Sequence, residues 1–473
     1  MYKDNDNQCD DAEQMRDTIQ RFEAMLQTQG SAYFDTDEFE WIIDYYMQQD
    51  DLKKSRKAVD IAIAQHPEDN HLKIKNARQF LVENHPEKAM SLLNDAEISY
   101  EDPDYFLTLG SCYAALGQAQ KSIETYFDAL QYFEEDEKSE LYNAIAYEYE
   151  DLFDYCSALI YFKKALDFSE DTYSIYHEIR HCYFFLDRTD DAVAFFKKRI
   201  EEDPHDSIAW SALGDCYRKL DLLELAIDTY EYVLAIDPTN IWPYVHIANA
   251  YYDMERFQEA IDTLNEALSN KVETSLIHTS LGDCFYRLER PMEACQHYKT
   301  ALQINESLPE AWSGLGFVYS DQNESSKAIR LFEKARLLDP CNPDHLYSLA
   351  AEYRKLHDYE TAYRYLFDIE SIDPTDPDLY YFIADILNEQ QRYDEAINIL
   401  KIGQQRAGND SALTYMLSYD YLRKNDRAMA LTLLEDALNA DFKGHQDFLD
   451  IDPDLLYHDI EILEMIDQYK KKS

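Results

Sequence analysis

Apolar residues recur along this chain at spacings of three and four, the period of an amphipathic α-helix, in blocks separated by short polar stretches. Residues 309–342 show the pattern most clearly. Trp312, Leu315 and Tyr319 fall on one stripe of a first helix, and Ala328, Phe332 and Ala335 on one stripe of a second. Asp339-Pro340 then stops the second helix, because the residue before a proline avoids the α region. Large apolar side chains thus hold places 4, 7 and 11 of the block, and alanine at place 20 lets the second helix approach the first. The pattern predicts helix–turn–helix units. Asp206, Asn240 and Asn342 stand where each would cap the helix that follows.

The block repeats. Leu213-Gly214, Leu281-Gly282 and Leu315-Gly316 are separated by 68 and 34 residues. Asp203-Pro204, Asp237-Pro238, Asp339-Pro340 and Asp373-Pro374 keep the same period or its multiple. Alanines at 192, 226, 260, 294, 328, 362, 396 and 430 form an unbroken ladder, with Ala158 one period before it. Extending the register divides the chain into 36–69, 70–102, 103–138, 139–172, 173–206, 207–240, 241–274, 275–308, 309–342, 343–376, 377–410 and 411–444. Units before 139 are looser, and 103–138 carries two extra residues at Glu134-Glu135-Asp136. Ahead of the repeats, 1–35 is an acidic segment in which 11–27 predicts one helix. Behind them, 445–473 has an apolar pattern (Leu455, Leu456, Ile460, Leu463, Ile466) and ends in Lys470-Lys471-Lys472. We read it as a capping helix over the last repeat, with its lysines at the helix C-terminus, where positive charge is favoured.

Trp312, Leu315, Gly316, Tyr319, Ala328, Phe332 and Pro340 reproduce the tetratricopeptide-repeat (TPR) signature, and Trp210, Leu213, Gly214, Tyr217, Ala226, Tyr230 and Pro238 nearly do. The chain resembles bacterial stand-alone multi-TPR proteins. That resemblance implies an all-α fold, an α-solenoid with a right-handed superhelix of about twelve units. It also implies a concave groove lined by positions 2, 5, 9, 12 and 13 of each unit. Those positions carry Tyr347, Tyr381 and Tyr415 one period apart, with Tyr419 and Phe317 nearby. An aromatic strip of this kind suits peptide binding, since tyrosine offers contact area at low entropic cost. Asp215, Asn249, Asp283 and Asp385 would give the groove an acidic or amide floor. Arg218, Arg287 and Arg354 recur every second unit, either as salt bridges between stacked units or as a row of cationic sites. The residue set of the chaperone-binding carboxylate clamp is missing: unit 241–274 has Asn249 but Val245.

Composition narrows the partners. Of 473 residues, 44 are basic and 94 acidic, giving a net charge of −50. Such a surface repels nucleic-acid phosphates and anionic lipid heads, and favours basic or neutral extended segments of other proteins. Ten Gly and 13 Pro are too few for an all-β or low-complexity chain, while 39 Tyr and 22 Phe allow a large core. No stretch of 18 apolar residues exists, and the first residues lack a basic-then-apolar export pattern. The eight cysteines form no Cys-x-x-Cys, so they read as free thiols of a cytoplasmic protein. Those at 112, 182, 216 and 284 share one small packing slot.

One stretch suggests chemistry. His177-Glu178-Ile179-Arg180-His181 fits His-Glu-x-x-His, whose histidines share a helix face and can hold zinc with the glutamate as base. Asp215 would be a third ligand. The repeat register runs undisturbed through this stretch, and nucleotide-binding and hydrolase motifs are absent. The expectation is a non-enzymatic interaction scaffold or adaptor without a cofactor. The competing readings are a metal-dependent enzyme on His177, Glu178 and His181, and a structural solenoid that self-assembles into homo-oligomers.

Overall fold

The computed structural model describes residues 4–28, 30–95, 103–134, 138–169 and 172–470. Among these there are 28 α-helices, one three-residue 3₁₀ turn and no strand. The chain divides into two compact units, Met1–Ile236 and Asp237–Ser473. Residues Glu135, Asp136, Lys471 and Lys472 of the sequence reading lie outside the described residues.

In the first unit, helix Asp4–Thr28 precedes the helix pairs. Phe22 and Met25 from this helix pack with Phe34, Phe39, Ile42 and Tyr46 of the next segment. The pairs then begin at Thr36, Asn70, Pro103, Lys138, Thr172 and Ser207. In the second unit they begin at Ile241, Ser275, Pro309, Pro343, Pro377 and Ser411. Asp206, Asn240 and Asn342 accept backbone N–H bonds from the first turns of their helices, as the sequence pattern predicts. Every alanine of the ladder is fully buried. Residues 445–473 depart from a single capping helix. They form three short helices, His445–Ile451, Pro453–Leu456 and Ile460–Lys470, because Asp452-Pro453 breaks the run. The first packs on Ser411–Arg423 and the last on Arg427–Ala440.

Each pair turns through one residue in the left-handed region. Asp50, Asn84, Gly117, Phe153, Asp187, Asp221, Glu255, Glu289, Asn323, His357, Gln391 and Asn425 occupy that place, with φ between 52 and 68°. The next residue's N–H bonds the carbonyl five places back, as in Arg290 to Phe285 and Asp358 to Tyr353 at 2.9 Å. This six-to-one bond is the Schellman closure of a helix end. Gly117 meets the steric demand without a Cβ, and the Asn and Asp among them tolerate it locally, whereas Phe153, Glu255, Glu289, His357 and Gln391 hold the turn through packing.

Packing closes each pair at a second point. A Cβ added to Gly110, Gly214, Gly282 or Gly316 would lie 2.2 to 2.6 Å from the ring of Tyr126, Tyr230, Tyr298 or Phe332, which is 16 residues on. Within each unit the second helix also packs on the first helix of the next pair, as Pro291–Ile304 does on Pro309–Asp321.

One buried acid opposes this packing. Asp420 is fully buried and neither carboxyl oxygen has a hydrogen-bond partner. Desolvation pushes its pKa up to about 7; nearby Asn388 counteracts this and Asp385 adds to it. The neutral form therefore costs nothing below the unfolded value near 4, and the penalty grows until the pH passes the folded value. Asp420→Asn removes the charge, and its new amide can donate to the unpartnered Oδ1 of Asn388. The variant is expected to gain about 2–4 kcal/mol over the parent at pH 8 and clearly less at pH 5. Denaturant melts at both pH values check this, and a gain that does not grow with pH contradicts it.

Candidate functional site

The residues singled out from the sequence separate into three groups. Tyr347 is half-buried; its hydroxyl donates to Asp376 Oδ2 at 2.7 Å and its ring meets Phe382 edge-on. Tyr381 is also half-buried, with its hydroxyl pKa pushed up to about 12 by burial and by Asp385 and Asp447. Phe317 is 41% exposed. Tyr415 and Tyr419 are different. Tyr415 is 3% exposed, its ring lies 5.5 Å from that of Phe448, and its hydroxyl donates to the Asp441 carbonyl at 2.7 Å. Tyr419 is 8% exposed and reaches Asp452 at 3.4 Å. The open aromatic surface therefore stops short of these two. The helix His445–Ile451 carries Phe448 and Leu449, which need an apolar face, and both tyrosines belong to the core they join.

The charged candidates are mostly paired. Asp215 accepts the Tyr230 hydroxyl at 2.6 Å and the Arg180 guanidinium, and Arg218 stands 3.8 Å away. Asp385 pairs with Arg354 at 2.6 Å, and Arg354 also bonds Glu389. Arg287 donates to the Tyr252 hydroxyl at 3.2 Å and lies over the rings of Tyr252 and Phe257. Several such links, among them Arg180 to Asp215, Arg354 to Glu389 and Tyr286 to Asp321, join residues 35 apart. These basic residues tie one repeat to the next. Asp283 accepts the Tyr298 hydroxyl at 2.6 Å, and its pKa is pushed up to about 6 by burial, with Glu310 adding to the shift. Asn249 is exposed beside it.

A cavity of about 540 Å³ opens between the first helices of the pairs from 241 to 376, lined by Tyr252, Asp283, Tyr286, Phe317, His345 and Tyr347. A smaller one, about 180 Å³, is lined by Ala248, Asn249, Tyr252, Ser280, Asp283 and Cys284. A third, about 450 Å³, lies mainly on second helices and includes Phe367, Ile399 and Ile402.

The His-Glu-x-x-His stretch is arranged differently from a two-histidine chelate. The rings of His177 and His181 stack 6.3 Å apart. His177 Nδ1 lies 3.4 Å from Glu178, and His181 Nδ1 lies 3.3 Å from Glu150. Glu150, Glu178 and His181 bring their ligating atoms within 4.8 Å of one another. Asp215 is not among them, because Arg180 and Tyr230 occupy its carboxylate. Glu150 was missed because it sits on the preceding repeat, and no spacing rule within the motif points to it. The Cys182 thiol donates to Glu150 at 3.3 Å, and burial raises its pKa. Burial also pushes up Cys112 to about 11, and Cys216 and Cys284 to about 12, so these thiols are inert packing groups at neutral pH.

Arg180→Ala would leave the largely shielded Asp215 carboxylate without its guanidinium, and is expected to cost about 2–4 kcal/mol. Arg218→Ala removes a looser, solvent-exposed partner and is expected to cost less than about 1 kcal/mol. Equilibrium denaturation of both variants separates the cases, and equal losses would contradict the assigned pairing.

Tetratricopeptide-repeat family models match residues 139–172, 183–241, 221–284 and 282–323. The model for anaphase-promoting complex, cyclosome, subunit 3 matches residues 321–402. No curated protein sequence matches the chain. Among solved structures, the APC/C hetero-tetramer Cut9–Hcn1 is similar at 15% identity over 86% of this chain and 93% of that one, with a TM-score of 0.43. Yeast Tom70 is similar at 15% identity over 84% and 94%, with a TM-score of 0.45. YrrB, described as a TPR protein with an unusual peptide-binding site, is 26% identical over 41% of this chain and 97% of its own, with a TM-score of 0.32. The helix pairs with their small-residue ladder, together with this run of matched models, show that the chain belongs to the tetratricopeptide-repeat family as a multi-repeat member.

Proposed function

We propose that this protein is a non-enzymatic interaction scaffold whose Asp237–Ser473 unit takes an extended basic or neutral polypeptide segment across its first helices. The repeat fold is one that typically serves protein–protein interaction. The observation that carries the finer reading is the 540 Å³ cavity, in which Tyr252, Tyr286, Phe317 and Tyr347 surround Asp283. Aromatic walls supply contact area at low entropic cost, and an acidic floor selects against anionic segments. Asn249, Asp385 and the exposed edge of Tyr381 extend the same face. Arg287 is engaged by Tyr252 of the preceding repeat and Arg354 by Asp385 and Glu389 of the next, so a row of cationic sites has little left to offer a ligand.

A net charge of −50 disfavours nucleic acid and anionic membrane surfaces as partners. No helix among the described residues is long and apolar enough to cross a membrane. Buried cysteine thiols suit a reducing compartment, and we place the protein in the cytoplasm on that ground. A metal-dependent activity at His177, Glu178 and His181 has less support, because Asp215 is committed to Arg180 and Tyr230, and the groups that converge are Glu150, Glu178 and His181 rather than the two histidines.

Selection of a displayed random-peptide library on the full chain tests this reading. Enriched peptides are expected to lose at least about tenfold in affinity, or about 1.4 kcal/mol, when Phe317 and Tyr347 are both replaced by Ser. Unchanged affinity in a folded double variant would exclude this face.

A further inference from the structure

The same four residues occur twice, 68 positions apart: Leu213-Gly214-Asp215-Cys216 and Leu281-Gly282-Asp283-Cys284. Both copies build the same floor. A tyrosine from the second helix lies against the glycine, where an added Cβ would come within 2.6 Å of the ring. In each copy the tyrosine hydroxyl donates to the aspartate at 2.6 Å.

The copies differ in what else the aspartate meets. Asp215 receives the guanidinium of Arg180 from the preceding repeat, and Arg218 lies one helical turn on. In the second copy the place of Arg180 is held by Ala248, and that of Arg218 by Tyr286. The Tyr286 hydroxyl is engaged by Asp321 at 2.7 Å. Arg287 lines the larger cavity, but its guanidinium is engaged by the Tyr252 hydroxyl and lies over the rings of Tyr252 and Phe257. Among the described residues no lysine or arginine pairs with Asp283. Beside its carboxylate, where the first copy has an arginine side chain, Ala248, Asn249, Tyr252 and Ser280 enclose the 180 Å³ cavity. A cavity of roughly 150 Å³ holds a benzene ring, so a guanidinium fits.

We infer that this cavity is a socket for the guanidinium of an arginine on the bound segment, the incoming residue completing at Asp283 the ion pair that Arg180 completes at Asp215. The inference rests on the groove reading given above. A carboxylate that is partly desolvated and lacks a cation is half of an ion pair, and its pKa, pushed up to about 6, reports that cost. Arginine suits the site better than lysine because its planar fork can bond a carboxylate through two parallel N–H groups.

The library selection is repeated on the parent chain, on Asp283→Asn and on Ala248→Arg. The parent is expected to enrich arginine-containing peptides. Replacing that arginine by citrulline, which is neutral and of the same shape, is expected to weaken binding at least tenfold, and lysine several-fold. Asp283→Asn is expected to bring the arginine-to-citrulline ratio near one. Ala248→Arg supplies the chain's own guanidinium, as Arg180 does in the first copy, and is expected to abolish the preference in the folded variant. Equal binding of the arginine and citrulline peptides, equal binding of lysine, or a preference that survives either folded variant overturns the socket. Enriched peptides that ignore Asp283 but respond to Phe317 and Tyr347 would overturn the socket alone. A parent chain that enriches nothing would overturn the groove reading itself.

Discussion

Ten of the twelve helix pairs carry a small side chain at place 8 of the first helix and a large one at place 24; Ile43 and Arg180 hold place 8 in the other two. In most of these pairs the two places vary together, Ala146 opposite Phe162 being the exception. Glycine stands opposite a ring in Gly110–Tyr126, Gly214–Tyr230, Gly282–Tyr298 and Gly316–Phe332. Alanine accompanies leucine at 248 and 264, 350 and 366, and 384 and 400, and all six are buried. The extra methyl on one side is matched by a smaller side chain on the other, as close packing requires. The contact also sets polarity. Where the ring is tyrosine, place 9 is Ser111, Asp215 or Asp283, each within reach of the hydroxyl. Where it is Phe332, place 9 is Phe317, which needs no donor.

The acidic side chains Asp215 and Asp283 therefore follow from core packing, each placed to accept a buried tyrosine hydroxyl. Most of these carboxylates are consumed by arginines one repeat away, which stitch neighbouring pairs together. Among the described residues Asp283 pairs with the Tyr298 hydroxyl and with no cation, in a cavity lined by Tyr252, Tyr286, Phe317 and Tyr347 together with Arg287 and Glu310. The large negative charge thus does not translate into a uniformly sticky surface. Under the proposed function, selectivity would reside where an internal cation is missing.

Much of the fold could be read from the chain before any coordinates. The alanine ladder is buried throughout, and Asp206, Asn240 and Asn342 cap their helices. Both follow from local rules of spacing and capping. The left-handed turns were not legible, since residues as different as Phe153, His357 and Asp50 adopt them under tertiary constraint. Tyr415 shares the period of Tyr347 but not its exposure, because Phe448 arrives from outside the repeats to cover it, and Tyr419 one turn on reaches Asp452. Glu150 joined Glu178 and His181 across a repeat boundary, which a motif confined to one helix does not reveal. The contrast between Arg180 and Ala248 was visible in the sequence, but its meaning depended on knowing that Arg180 reaches Asp215.

The closing contact is tested most directly by a double-mutant cycle on Gly316 and Phe332. Helix propensity alone would make Gly316→Ala stabilising by about 1 kcal/mol. The contact instead predicts a loss of about 1–3 kcal/mol, since the new Cβ would meet the Phe332 ring at 2.5 Å. Adding Phe332→Leu, which recreates the alanine–leucine pairing found elsewhere in the chain, should recover most of that loss. A stabilised Gly316→Ala, or additive losses in the double variant, would contradict the account.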